Sequence, residues 1–220
     1  MYDVIIIGAG HNGLVTAAYL ARAGRRVLVL ERRDVVGGAC VTEEVWPGYK
    51  VSTAAYVNSL LRPEIIRNLD LARHGFSMLP RDPSSFTPFP DGTSLMLGPD
   101  SEMTRREIAK FSTRDADAYP RYEAMLGKVA ELIEPTLLMA PPDPWSNRPR
   151  DLFTLARLGL QFHGLGPDGA SAIEILTADA RTVLDRWFES EQLKATLATA
   201  ALIGAAASPQ MAGPAYVLLH

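Results

Sequence analysis

Three glycines in Gly8-Ala9-Gly10-His11-Asn12-Gly13 have the spacing with which a backbone wraps a diphosphate. That chemistry needs main-chain N–H groups more than side chains. Glycine serves it by taking φ values closed to other residues and by presenting no Cβ to an approaching oxygen. Glu31 follows Gly8 by 23 residues, where a carboxylate can accept from both hydroxyls of a ribose. A second pair, Gly37-Gly38, permits another close approach of backbone, beside the pyrophosphate or the ribityl chain of a longer cofactor. His11 and Asn12 at the helix start, with Arg32 and Ala39 beside the acid and the glycine pair, complete the candidate cofactor contacts. No histidine, lysine or carboxylate stands in a motif that assigns a catalytic base.

Such a constellation must be held by a strand, a helix and a second strand. Asp3-Val4-Ile5-Ile6-Ile7 is a β-branched run that reads as a strand buried on both faces of a parallel sheet. Gly8 allows the tight turn, Gly10 lets the main chain approach the pyrophosphate, and Gly13 lets the helix pack close to the sheet. The helix runs on from Leu14 through the small residues Ala17, Ala18 and Ala21, and Gly24 ends it. Val27-Leu28-Val29-Leu30 is the second strand, closed by Glu31. This is the order a βαβ dinucleotide site requires.

The pattern Gly164-Leu165-Gly166-Pro167-Asp168-Gly169 is the same on paper. It follows a helical period and no strand and acid come after it, so it reads as an interhelical turn. A Walker phosphate loop is excluded because Leu14 stands where its lysine would be. Arg32 and Arg33 suggest a 2′-phosphate, but the carboxylate of Glu31 would repel one, which disfavours NADP.

Composition bounds the rest. A length of 220 residues allows one to two domains. A hydrophobic share of 47% against 21% charged residues is that of an ordinary globular chain. The net charge of -3 gives no electrostatic reason to expect nucleic acid. A single cysteine, Cys40, excludes an intrachain disulfide and a CxxC site, and it reads as a small buried apolar residue. The longest weakly polar stretch, 195–207, is too short to span a bilayer, and with strand-like sequence from Tyr2 no signal or transit peptide is expected. The expectation is a soluble protein of a reducing compartment, the cytoplasm. His74, His163 and His220 lack ligand-like spacing, and no metal site is expected.

Beyond Pro63, Phe86–Phe89 and Thr93–Leu97 read as two strands around an Asp-Gly turn. Asp100 and Ser101 cap a helix through Phe111, and Ser112-Thr113-Arg114-Asp115 has the form of a capping box. Tyr119, Tyr122, Leu126, Val129 and Ile133 share one helical face, with Pro120 implying a late start or a kink. Residues 141–149 form a proline-rich loop. Ile173, Leu176, Ala180, Leu184 and Trp187 form another helical face. Tyr119–Tyr122 and Trp187–Phe188 read as core, with the lining of an apolar substrate tunnel as the other reading.

The sequence resembles the flavin amine-oxidase and phytoene-desaturase-type flavoproteins. The likeness rests on Gly8 to Leu14, the acidic strand end and the second glycine pair. It sharpens through Glu43-Glu44, Pro47-Gly48-Tyr49, Tyr56 to Pro63 and Arg73-His74-Gly75 toward the phytoene-dehydrogenase-related proteins of the pyridine nucleotide-disulphide oxidoreductase domain-containing type. It continues more weakly through Phe188-Glu189-Ser190-Glu191 and residues 215–220. The resemblance implies FAD, an FAD-binding domain and a partly helical substrate domain. The inferred reaction is dehydrogenation, with hydride passing to the flavin and a separate electron acceptor reoxidising it, and the tunnel reading favours an elongated, mostly apolar small molecule as substrate. Through the resemblance alone, a mitochondrial location is the alternative to the cytoplasm.

Three residues depart from the family pattern. Ala39 stands where relatives often carry the arginine that holds the pyrophosphate, Ser52 stands where they often carry aspartate, and no redox dithiol exists. The expected architecture is α/β: a Rossmann-like FAD-binding βαβ unit over 1–62, then an α+β, largely helical part of a substrate domain over 63–220. Two strands make a poor sheet, so the unit is expected to be completed by a C-terminal segment beyond His220. The other readings are a flavin-dependent isomerase, an amine oxidase, or a non-enzymatic binding protein like the Rab GDP-dissociation inhibitors. Intact Gly10 and Glu31 favour a real cofactor site.

Overall fold

The computed structural model describes residues 1–55, 57–58, 60–202 and 208–219. Tyr56, Ser59, 203–207 and His220 lie outside the described residues, so parts of the family-like segment 56–63 and of the apolar stretch 195–207 do too. The chain forms two compact units that divide between Leu79 and Pro80.

In the first unit, β1 (Val4–Ile7) and β2 (Val27–Leu30) pair in parallel, from Val4 opposite Val27 to Ile7 opposite Leu30. A parallel pair needs a crossover, and α1 (His11–Arg22) supplies it. The helix stops where Ala23 and Gly24 leave helical geometry, Gly24 taking a φ of +76°. Asp3 clamps the far end of the pair: its carboxylate accepts from the Arg26 backbone N–H at 2.8 Å and from the Arg26 guanidinium at 3.0 Å. The expectation that β1 is buried on both faces is not met. Its burial alternates, with Ile7 88% exposed and Ile5 exposed as well. The reason is that α1 packs on this pair and no comparable layer lies on its other side among the described residues of the unit.

The unit continues with an antiparallel hairpin of β3 (Thr42–Trp46) and β4 (Tyr49–Ser52), turned at Pro47-Gly48. The six-residue helix α2 (Pro63–Asn68) begins on proline, whose missing N–H costs nothing at a helix start. Asn68 in turn donates to the Tyr19 hydroxyl of α1 at 2.9 Å.

The second unit opens with the expected hairpin, β5 (Ser85–Pro88) against β6 (Ser94–Leu97), and then becomes helical. α3 (Ser101–Ala109) is capped by Asp100, which accepts from the N–H groups of Glu102 and Met103. α4 (Thr113–Ile133) runs through Pro120 without a late start, losing one ladder bond inside a well-packed helix. The proline-rich connection leads to α5 (Pro149–His163), and the second glycine-rich pattern is the turn between it and α6 (Asp168–Thr177). The single helical face drawn through Ile173, Leu176 and Trp187 is two helices. The chain breaks at Ala178, Asp179 caps α7 (Ala180–Trp187) by accepting from Thr182 N–H, and Ile173 and Leu176 are exposed. The periodicity missed that break because an aspartate N-cap interrupts the ladder without disturbing the hydrophobic spacing. α8 (Glu191–Leu202) is the last α-helix among the described residues, and a 3-10 helix over Pro214–Leu219 follows it. Leu95, Ile108, Tyr122, Val129, Ile175, Leu184 and Leu193 form the core of this unit.

Candidate dinucleotide site

The glycine loop leaves β1 through Gly8, whose φ of +101° is open to glycine and costly for any other residue. Gly8 N–H donates to the Leu30 carbonyl at 2.7 Å, tying the loop to the end of β2. Gly10 is the N-cap of α1, in extended geometry with φ −73° and ψ 174°. No side chain caps this helix and its first turn holds no acid, although His11 and Asn12 stand there exposed. The first-turn N–H groups have no partner four residues back inside the helix, so they and the helix dipole offer a positive end to an anion.

The glycines differ in what constrains them. A Cβ on Gly13 would lie 2.1 Å from the Gly8 carbonyl oxygen, so the helix and loop meet there in a contact only glycine allows. A Cβ on Gly10 would find no atom nearer than 3.8 Å. Its backbone angles also suit an L-residue. Neither a Cβ clash nor the conformation demands glycine at position 10, where a Cβ would make only ordinary van der Waals contact with the Gly38 Cα. This is the fit expected of a pyrophosphate cradle.

The second glycine pair lies across the first loop. Gly37 N–H donates to the Ala9 carbonyl at 2.8 Å, and Gly10 and Gly37 form a parallel bridge. A Cβ on Gly38 would stand 2.9 Å from the Gly10 Cα, and Gly38 has a φ of +57°. Gly37-Gly38 thus brings backbone directly onto the first glycine loop. Ala39 is exposed in the short 3-10 turn Gly38–Cys40 that follows. Cys40 is exposed, which corrects its reading as a buried residue: the close crossing of glycines leaves no depth in which the next side chains could be buried.

Glu31 reaches from the end of β2 back to the loop. Its Oε2 accepts from Ala9 N–H at 2.8 Å, and its Oε1 accepts from the N–H groups of Arg32 at 2.8 Å and Arg33 at 3.0 Å. The backbone bond from Arg33, followed by that from Ala9, holds its carboxyl below the ordinary carboxylate value. The group stays ionised and retains lone-pair capacity for a diol. Arg33 does not offer its charge to a 2′-phosphate: its guanidinium pairs with Glu43. Arg32 is exposed beside it. Sequence reasoning missed the part played by Ala9, whose buried methyl and two backbone bonds join both glycine pairs to the acid. No residue-type signal marks a backbone donor.

A pH prediction follows from Glu31. Its depressed native value means that its hold on the loop is complete above the ordinary 4.5 and is lost as pH falls through the lower native value. The Ala9 amide resonance is therefore expected to titrate on the acid side in the wild-type chain. In Glu31→Gln that titration should vanish, while a response unchanged by the substitution would assign the shift to another group.

Other chemistry-bearing residues do not converge. Tyr119, Tyr122, Trp187 and Phe188 stack on one another, with Tyr122 and Phe188 centroids 5.0 Å apart and Tyr122 only 2% exposed. They are core and wall no tunnel. Burial pushes the phenols of Tyr119 and Tyr122 up, so both remain neutral. A cavity of about 240 Å³ beside Arg181, Asp185, Lys194 and Gln210 is lined by charges already paired, Lys194 with Asp185 at 2.7 Å and with Glu191 at 2.6 Å. Among the described residues no cluster of three metal-ligating side chains occurs.

Residues 6–67 match the family of NAD(P)-binding Rossmann-like domains. Over its whole length the chain is 48% identical to pyridine nucleotide-disulfide oxidoreductase domain-containing protein 2 of Rattus norvegicus, and it spans 40% of that relative. Over 53% of the chain it is 42% identical to one of the limonene dehydrogenase subunits of Castellaniella defragrans, covering 21% of that protein. A structure of putrescine oxidase bound to putrescine shares the fold at a TM-score of 0.55 and 19% identity, covering 99% of this chain and 40% of that one.

Proposed function

We propose that this chain, which belongs to the phytoene-dehydrogenase-related oxidoreductases of the pyridine nucleotide-disulfide oxidoreductase domain-containing type, carries the FAD-binding part of a dehydrogenase. The observation that carries the reading is Gly10, a glycine that neither its backbone angles nor a Cβ clash requires, standing at an uncapped helix start. Gly8, Gly10 and Gly13, with the first turn from His11 and Asn12, would hold the pyrophosphate. Glu31 would take the adenosine ribose, with Arg32 at its edge. Gly37, Gly38 and Ala39 would line the path toward the flavin half, which a shorter cofactor does not need. The second unit, 80–220, would belong to the substrate domain.

Bound there, a flavin supplies hydride acceptance, and the protein's part is to position it and exclude water. The substrate class is apolar, as the limonene dehydrogenase relative, with an unsaturated hydrocarbon in its name, supports. An unidentified acceptor takes the electrons onward. The chain spans 40% of its full-length relatives, and the activity is proposed for the protein of that length.

The test is anaerobic reduction. The purified flavoprotein is expected to lose its visible flavin absorbance with isoprenoid-like or fatty compounds before it does so with amino acids or small hydroxy acids. Bleaching by polar amines alone would move the reading to an amine oxidase. A protein that never takes up flavin, yet binds a prenylated partner, would establish the binding-module reading instead.

A further inference from the structure

We propose that Glu43 is a positioning residue that decides between a ribose 2′-hydroxyl and a 2′-phosphate by engaging the guanidinium of Arg33. This role rests on the cofactor reading above and deepens it at the adenosine end. Two arginines beside Glu31 are, by residue type, what a 2′-phosphate would want, and the carboxylate next to them is what it would avoid. Sequence leaves that conflict open for Arg33, because its partner lies ten residues further along the chain. The fold resolves it. Arg33 N–H donates to Glu31 Oε1 at 3.0 Å, so its own backbone fixes this residue at the ribose-binding carboxylate. The Arg33 charge is also among the causes that hold the Glu31 carboxyl low, so the guanidinium lies within electrostatic reach of the same edge. Yet that guanidinium is turned to Glu43.

β3 is built to present that acid. Side chains alternate across a strand, so Glu43 and Glu44 leave β3 on opposite faces. Glu44 serves the hairpin, its Oε1 accepting from Gly48 N–H at 2.8 Å. Glu43 stands opposite Val51 of β4 and is the one half-buried residue of the strand. A charge at the least exposed position of a strand whose Val45 and Trp46 are exposed needs a partner, and Arg33 supplies it. The pair also closes the segment that runs from Glu31 through Gly37-Gly38 into β3, so the Arg33 charge is cancelled at a fixed place. A 2′-hydroxyl needs only the lone pairs of Glu31 and is indifferent to that cancellation. A 2′-phosphate brings about two negative charges and would meet two carboxylates with Arg33 already taken. Arg32 is left exposed beside Glu31, one guanidinium against those two acids. Exposed ion pairs add little to stability, but which ligand charge a site admits is a difference between affinities, and one cation decides it.

Competition against FAD uptake tests it, with full-length protein freed of flavin and two probes, ADP-ribose and ADP-ribose carrying a 2′-phosphate on its adenosine. Wild type is expected to prefer the unphosphorylated probe. Glu43→Gln should narrow that preference about fivefold by improving the phosphorylated probe, while ADP-ribose binding holds. The gain should shrink as salt rises. Glu43→Asp should keep most of the wild-type preference, because the carboxylate is retained. Arg33→Leu combined with Glu43→Gln should lose the gain, since the freed guanidinium is its source. Melting temperatures of all three should match wild type, as the paired side chains are 46% and 41% exposed. An unchanged preference in Glu43→Gln, with ADP-ribose still bound, would overturn the role of Glu43 alone. So would an equal loss of both probes, which is what a merely structural residue gives. Wild-type protein in which neither probe competes with FAD would overturn the placement of the cofactor, and this role with it.

Discussion

Gly10→Val is expected to leave the chain folded and to abolish dinucleotide binding. Valine suits the extended backbone of position 10, φ −73° and ψ 174°, and a Cβ there meets nothing closer than the Gly38 Cα at 3.8 Å. The fold therefore loses little, within about 0.5 kcal/mol in urea unfolding. The branched side chain stands instead in the path of the pyrophosphate and screens the first-turn N–H groups of α1. Charge-assisted bonds of that kind are each worth about 1.5–3 kcal/mol, so FAD affinity should fall at least about a hundredfold. The measurement is the FAD-to-protein ratio after purification, backed by titration. Normal flavin content in the variant would displace the cofactor from this loop.

Gly13→Ala supplies the opposite signature. Its methyl would collide at 2.1 Å with the backbone carbonyl oxygen of Gly8, which cannot rotate away as a side chain would. Overpacking of this kind costs about 1–3 kcal/mol before any ligand is considered. Position 10 should thus report on binding and position 13 on folding, although both are glycines of one motif. A Gly13→Ala chain as stable as wild type would show that helix and loop can separate without cost.

The largest loss of stability is expected from Asp115→Ala in the second unit. This carboxylate is fully buried and accepts from Glu189 N–H at 2.9 Å, from Ser190 N–H at 2.8 Å and from the Ser190 hydroxyl. It thereby fastens the start of α4 to the junction that launches α8, 75 residues away in sequence. Alanine would strand two buried donors of Ser190 and the part-buried N–H of Glu189 at once, a loss of about 3–5 kcal/mol. The urea midpoint should drop while the slope holds. A change below about 1 kcal/mol would mean that water replaces the carboxylate.

Asp115 also shows where local reasoning stopped. Ser112 does cap α4, accepting from Asp115 N–H at 3.1 Å. The reciprocal half of the expected capping box is absent, because the Asp115 side chain is spent on Glu189 and Ser190. A capping motif is written in four adjacent residues, and nothing in those four states that a distant turn will compete for the acid.

The same division runs through the cofactor site. The strand, the glycine loop, α1 and the acid at the end of β2 were legible in the first 31 residues, because each depends on backbone preferences and spacing within one βαβ crossover. The helices of the second unit were legible to the extent that a cap or a period marks them. What tertiary structure alone decided were the meetings between segments. Gly37-Gly38 could be seen as a pair open to close approach, but not as a backbone laid on Gly10 and hydrogen-bonded to Ala9. The aromatics of α4 and α7 could be placed on helical faces, but their stacking excluded a tunnel only once the helices were packed.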